Sequence, residues 1–208
     1  FTTKDNLPYS GEVVIPETVE YNGEVYKVTS IRDFAFQYYA VKSVTIPENM
    51  EVGSNAFNGC NNISETTVIL SGFDKFCDGT WRTQYMKAMP SSMKSFKLYY
   101  NNKEVTNYII PEGVTSIALD AFQYCNNLTA ISIPQSVTSI ASVNFYECSS
   151  LAELTLHSNE IYTLASGNEI PNGCVIHVQS SLLSDYREAE FWSDHRAQFI
   201  SIGVQTEY

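Results

Sequence analysis

Pro111-Glu-Gly-Val114-Thr-Ser-Ile117-Ala-Leu-Asp-Ala121-Phe122-Gln-Tyr-Cys125-Asn-Asn-Leu128 is followed, 23 residues on, by Pro134-Gln-Ser-Val137-Thr-Ser-Ile140-Ala-Ser-Val-Asn-Phe145-Tyr-Glu-Cys148-Ser-Ser-Leu151. Nine of these eighteen positions are identical, where chance gives about one, and a fixed period of roughly 20 to 30 residues is the mark of a solenoid. Each copy runs on into a short alternating strand, Leu128-x-x-Ile131-x-Ile133 and Leu151-x-x-Leu154-x-Leu156. One copy cannot bury its own apolar edge, so neighbours must stack and share a core.

Working outward, Val28-Thr-Ser-Ile31-x-x-x-Ala35-Phe36-Gln-Tyr38 repeats residues 114–124, with Tyr39 in the cysteine slot. A further unit carries Val52, Ala56-Phe57, Cys60 and Ile63, then places polar Thr66 where an apolar residue is expected, which leaves the strand register over 64–70 open. The chain reads as a single domain over 1–208. Residues 1–27 form an opening hairpin, in which Pro16 stops the strand at Val13 to Ile15 and Asn22-Gly23 supplies a tight turn. Repeats follow over 28–70, an irregular insertion over 71–104, and repeats again over 105–178.

The insertion holds Phe73, Phe76, Trp81, Tyr85, Met86, Met89, Phe96, Tyr99 and Tyr100. Exposed apolar patches of that size are uncommon, so most of these rings are expected to lie on the flank of the stack rather than to form a protrusion. Residues 179–208 are a cap. There Leu182, Leu183, Tyr186, Ala189 and Phe191 or Trp192 recur at helical spacing, Ser180 or Ser181 offers a helix start, and Phe199 to Ile202 reads as a final strand.

The formal charge is −11, from 23 acidic and 12 basic residues, which disfavours nucleic acid and anionic membrane as partners. No apolar run has the length of a membrane span. Phe1 is not an initiating residue, so a removed leader or upstream segment is expected. Cys60, Cys125 and Cys148 share one slot of the repeat, and no C-x-x-C pair occurs. A buried ladder of thiols is therefore expected in preference to a disulfide or metal framework, with Cys77 and Cys174 left open.

The pattern Ile-Pro-x-x-Val-Thr-Ser-Ile-x-x-x-Ala-Phe-x-x-Cys-x-x-Leu resembles the BspA-like leucine-rich repeat of surface and secreted proteins of gut and oral Bacteroidetes. The resemblance implies a leucine-rich-repeat solenoid: a right-handed superhelix with a parallel β-sheet on one side, turns on the other and a C-terminal capping helix. It also implies export to the cell surface and an adhesin-like role, with a protein or host extracellular-matrix component as partner. This chain departs from the family at Arg32, Ala118 and Ala141, where glycine is common, and at Tyr39.

Catalysis needs titratable groups that converge. His157, His177 and His195 lack metal-ligand spacing, and no G-x-S-x-G, phosphate loop, dinucleotide fingerprint or H-E-x-x-H occurs. No catalytic residue, cofactor or metal is therefore expected. Asn62-Ile-Ser64 and Asn127-Leu-Thr129 match a glycan-acceptor pattern, but they lie in the repeat turn, where a structural role is expected. The function expected is noncatalytic protein binding by a monomer, through the outward sheet positions Ser43, Thr45, Asn107, Ser132, Glu153, Thr155 and His177. The alternatives are glycan binding through Trp81, Tyr85, Tyr99 and Tyr100, and a spacer that displays another domain.

Overall fold

A computed structural model describes residues 10–202 apart from 49, 64, 71, 72, 74, 80–87, 91, 92, 94 and 143. Two compact units are formed, one from residues up to 71 together with 80–104, the other from 72–79 together with 105 onward. Both are stacked coils with strands on one side and turns on the other, the architecture of a leucine-rich-repeat solenoid.

In the first unit the strands are β1 (Ser10–Val14), β2 (Thr18–Tyr21), β3 (Glu24–Lys27), β4 (Ser30–Ile31), β5 (Ala40–Pro47), β6 (Glu51–Val52), β7 (Glu65–Ile69), β8 (Phe96–Tyr100) and β9 (Lys103–Glu104). The main sheet runs β1-β5-β7-β8-β9, parallel up to β8 and closed by the antiparallel β9. Val13 pairs with Val44, so Val13-x-Ile15-Pro16 is the strand of a repeat and not an arm of the opening hairpin. The hairpin is β2 with β3, turned at Asn22 and Gly23, both at positive φ (54° and 80°), which suits the twist of a two-residue turn.

Part of the stretch expected as irregular is a coil of this stack. Thr66 pairs with Phe96 and Val68 with Leu98, and the Phe57 amide donates to the Ala88 carbonyl at 2.9 Å as the Phe36 amide does to Ala56 at 2.8 Å. Ala88-Met89 thus stands in the place of Ala-Phe. Met89, Met93, Phe96 and Leu98 are core residues. Thr66 keeps the strand in register and points inward, fully buried, its hydroxyl directed at Met89 Sδ 3.7 Å away.

In the second unit the strands are β10 (Asn107–Ile109), β11 (Ser116–Ile117), β12 (Ala130–Ile133), β13 (Ser139–Ile140), β14 (Glu153–Leu156), β15 (Thr163–Leu164), β16 (Val175–Val178) and β17 (Phe199–Ser201). One parallel sheet runs β10-β12-β14-β16-β17 and a second β11-β13-β15. Between them lie Leu128, Ile131, Ile133, Val137, Ile140 and Phe145, each at most 1% exposed. Burial of such side chains contributes about 1.5–3 kcal/mol apiece. Phe76, on a 3-10 turn at Lys75–Asp78, caps this core by packing against Phe122 and Tyr108 with ring centroids 5.4 Å away in each case. It lies inside the core rather than on the flank.

The thiol ladder is present. All five cysteines are buried as thiols with no disulfide among them. Cys60 Sγ donates to the Phe36 carbonyl and Cys148 Sγ to the Phe122 carbonyl, each at 2.9 Å. At Cys60 and Cys148 the slot therefore ties a coil to the phenylalanine of the coil before it. Tyr39 stands in the first such coil of its unit, where no earlier phenylalanine carbonyl is present among the described residues.

A second ladder was not legible in the repeat. Asn144 occupies the slot of Ala121 and is fully buried. Its Nδ2 donates to the carbonyls of Ala118 and Ala141 at 2.8 Å, and its Oδ1 accepts from the Phe122 amide at 3.4 Å. Its own amide donates to Asn168 Oδ1 at 2.7 Å, and Asn168 Nδ2 donates on to Ala141 and Ala165. A short amide side chain with donors and an acceptor thus satisfies turn groups that would otherwise be buried unpaired.

The cap differs from the amphipathic helix expected. A 3-10 turn at Ser180–Leu182 precedes α1 (Leu183–Glu188), and neither start has a side-chain cap hydrogen bond, so Ser180 and Ser181 do not cap. Trp192, not Phe191, is the inward ring: Phe191 is exposed at φ 62°. Tyr186, Trp192 and Phe199 form one aromatic cluster. It is bolted to the last coils by Trp192 Nε1 donating to the Tyr162 carbonyl at 2.8 Å and by the Tyr162 amide donating to the Tyr186 hydroxyl at 3.1 Å.

Candidate binding surface

Parallel register with period-two alternation determines which side chains share the outer face of each sheet. In the second unit Asn107, Ala130, Glu153 and Val175 form one row across the strands. Ile109, Ser132, Thr155, His177 and Ile200 form the next. Neighbouring members stand about 4.8 Å apart, the spacing of paired strands. Asn107 and Glu153 are exposed, Ser132, Thr155 and His177 half-buried. Five of the seven expected residues are thereby brought onto one surface.

Isoleucines stand at both ends of the longer row, Ile109 at 62% and Ile200 at 46% exposure. Ile200 escaped notice in the sequence because its strand follows the cap, outside the repeat. His157 continues the outward parity of β14 and reaches back, Nε2 lying 2.8 Å from Ser132 Oγ. No carboxylate hydrogen bond to its other ring nitrogen is found among the described residues, so the pair lacks the third group that orients a catalytic base.

Ser43 and Thr45 lie on the outer face of the first unit's sheet. Their rows are Glu12, Ser43 and Glu65, then Val14, Thr45, Thr67 and Lys97, then Pro47, Ile69 and Tyr99. Lys97 Nζ lies 3.1 Å from Glu65 Oε2, and hydrogen bonding to that carboxylate, with its charge, raises the lysine pKa. Tyr99 is a half-buried member of the sheet face, beside Ile69, and not part of a protruding loop. Tyr100, also half-buried, ends the same strand opposite Lys103. Trp81 and Tyr85, the other two residues of the aromatic set, lie outside the described residues.

On the other side of the coils the surface is built for stacking. Asn127 Nδ2 donates to the Val105 carbonyl at 2.9 Å, the structural role expected of it. Gly59, at φ 77°, lies under the ring of Tyr38, which is 75% exposed. Two concavities open in the second unit. One of about 530 Å³ is lined in part by Glu147, Glu169, Asp194 and His195, and one of about 450 Å³ by Gln135, Ser158 and Glu160 among others. His195 Nδ1 lies 2.8 Å from Gln198 Oε1, whose amide nitrogen holds the Pro171 and Cys174 carbonyls. That histidine is thus part of the cap's anchorage. Among the described residues no group of three or more His, Cys, Asp and Glu side chains is placed to hold a metal ion, and no helix is long and apolar enough to cross a membrane.

Six copies of the BspA-type leucine-rich repeat signature match residues 15–84 and 92–167. The chain belongs to the BspA-type leucine-rich repeat family. Among solved structures it is similar to a leucine-rich cell surface protein of Faecalibacterium prausnitzii, with 24% identity over 71% of this chain and 48% of that one and a TM-score of 0.33. It is also similar to a leucine-rich repeat protein of Bacteroides ovatus, with 20% identity over 81% and 57% of the two chains and a TM-score of 0.33. The pneumococcal vaccine antigen PcpA is similar at 11% identity over 93% and 88%, with a TM-score of 0.28. The BspA-type chain spans about half the length of the first two. No curated protein matches. The signature runs through residues 80–84 and resumes at 92, so the repeat is nearly continuous across the region that the spacing alone reads as interrupted.

Proposed function

We propose that this BspA-type chain is a noncatalytic, monomeric protein-binding module displayed at the cell surface, where it engages a protein or matrix component of a host. The observation that carries the reading is the outer face of β10, β12, β14, β16 and β17. It is an unbroken, in-register parallel ladder whose Asn107, Ser132, Glu153, Thr155 and His177 are framed by the exposed Ile109 and Ile200. A rigid polar centre with apolar ends presents hydrogen-bonding groups at fixed spacing, and it costs little conformational entropy on association. The row lacks the Trp and Arg that dominate tight interfaces, so the affinity per module is modest. The surface location rests on family membership.

The test is a binding screen of the intact chain against matrix proteins and glycans. It runs beside a Ser132→Lys/His177→Lys variant, a Thr45→Lys/Thr67→Lys variant and a Tyr99→Ala variant. The first variant should lose a bound protein ligand by tenfold or more while the other two keep it. Loss confined to Tyr99→Ala, with a glycan bound, moves recognition to the aromatic reading. If no ligand is retained by the wild-type chain, the spacer role replaces binding. Size-exclusion with light scattering checks the monomer.

A further inference from the structure

The hairpin β2–β3 belongs to neither of the other sheets of its unit, and all eight of its residues are exposed. Its register sets Val19 opposite Tyr26 and Tyr21 opposite Glu24 on one face, with Thr18 opposite Lys27 and Glu20 opposite Val25 on the other. Four of the eight side chains are apolar or aromatic and open to solvent: Val19 at 43%, Tyr26 at 47%, Tyr21 at 67% and Val25 at 70%. Tyr26 donates its hydroxyl to Glu24 Oε2 at 2.7 Å, which orders one face. A lone two-stranded hairpin is marginally stable in water, whereas three strands with an apolar face hold together. Among the described residues this hairpin has no third strand.

The hydrogen-bonding parity is determined by the Val28 amide donating to the Glu17 carbonyl at 2.8 Å. Glu17, Val19 and Tyr21 therefore bond across the hairpin. The N–H and C=O groups of Thr18 and Glu20 turn to the outer edge of β2, and those of Val25 and Lys27 to the outer edge of β3. Among the described residues no strand borders either edge.

We propose that the outer edge of β2 takes up an extended segment of another protein as a third strand, one in which basic and apolar residues alternate. The two edges differ in charge. Residues 17–21 contain Glu17 and Glu20 and no cation, whereas β3 carries Lys27 along with Glu24 and is neutral. Opposite charges facing across a strand pair attract, which sets a basic residue against Glu20, while apolar partners cover Val19 and Tyr21 on the other face. A second copy of the chain is the wrong partner, because its formal charge is also −11. Main-chain bonding supplies the affinity in such strand addition and the alternating side chains supply the selectivity. The site is separate from the sheet face argued above and does not depend on it.

The experiment titrates the intact chain with a short fluorescent peptide of alternating lysine and isoleucine at physiological salt. A second peptide has the same composition with its lysines in one block. The alternating peptide should bind about tenfold more tightly, a difference of one decade in Kd. Glu20→Pro removes an outward N–H from the β2 edge and should weaken binding about tenfold, while Val25→Pro, on the β3 edge, leaves it unchanged. Glu20→Lys keeps the backbone donor, and should exchange preference for a peptide of alternating glutamate and isoleucine. Far-UV circular dichroism checks the fold of each variant. Equal affinity for the two lysine peptides means attraction by net charge alone and overturns the proposal. So does full binding by Glu20→Lys, or a loss seen only in Val25→Pro.

Discussion

Cys148 Sγ donates to the carbonyl of Phe122 at 2.9 Å, across 26 residues of chain and one step of the stack. Cys60 and Phe36 repeat the contact in the other unit. Cysteine serves in this slot because it is small, tolerates complete burial and carries a weak donor. Cys148→Ala leaves the Phe122 carbonyl without that donor and opens a sulfur-sized void, at an expected cost of about 1–3 kcal/mol in a urea titration. Thiol labelling of the unfolded chain without reductant should count all five cysteines, and labelling of the folded chain almost none. A count of three or one in denaturant would reveal a bridge.

Asn144 offers a sharper case, because the repeat itself argues for alanine at that position. Asn144→Ala restores the residue found at positions 35, 56 and 121, yet it strips a donor from the Ala118 and Ala141 carbonyls and an acceptor from the Phe122 amide. We expect a loss of about 1–3 kcal/mol, since the Phe122 amide is left without this acceptor while the Ala141 carbonyl keeps Asn168 Nδ2 and the Ala118 carbonyl keeps the Ala121 amide. A stability at or above wild type in chemical denaturation would show that the ladder is incidental.

Gly59 has a positive φ of 77°, and a Cβ there would collide with Tyr38 Cδ1. Gly59→Ala should therefore destabilise by about 1–3 kcal/mol from backbone strain and the displaced ring. Adding Tyr38→Ala should recover the steric share while the strain stays. Recovery of the whole loss, read from the denaturation midpoint of the double variant, would mean that the backbone at 59 is not strained.

Alkali should unfold the BspA-type chain earlier than its acidic composition implies. Burial pushes the Cys174 thiol up to about 12 from 9.0, and burial likewise raises the Tyr186 hydroxyl to about 12 from 10.0. Both groups are held protonated in the fold, so the stability they contribute is complete below pH 9. It declines as the unfolded chain ionises above that and is lost as pH passes about 12. The urea midpoint should fall between pH 9 and 11, and Cys174→Ala should flatten the early part of that fall. A midpoint that does not vary with pH over this range would refute the assignment.

Periodicity revealed the stack because Val, Ile, Phe and Cys recur at constant offsets, and it gave the outward rows because a strand alternates. The same reasoning stops where a slot changes occupant. Met89 does the work of a phenylalanine in a turn two residues shorter, so residues 88–100 read as an interruption. Thr66 reads as a break in register, yet burial against Met89 keeps it inward. Asn144 breaks the Ala-Phe pair and carries no signal in the repeat, because a hydrogen-bonding role in a turn leaves no trace in an apolar pattern. Ile200 joined the face through a strand that the repeat does not contain.

The bond from Trp192 Nε1 to the Tyr162 carbonyl spans 30 residues and joins the cap to the stack. Stability in stacked repeats is close to a sum over neighbouring units, so the coils nearest an end can melt before the rest. Trp192 then acts as a built-in thermometer for that end. With only one other tryptophan in the chain, a Trp81→Phe background isolates its emission, whose red shift should begin at lower denaturant than the loss of sheet ellipticity. The gap between the two curves measures how far one coil can open while its neighbours stay closed.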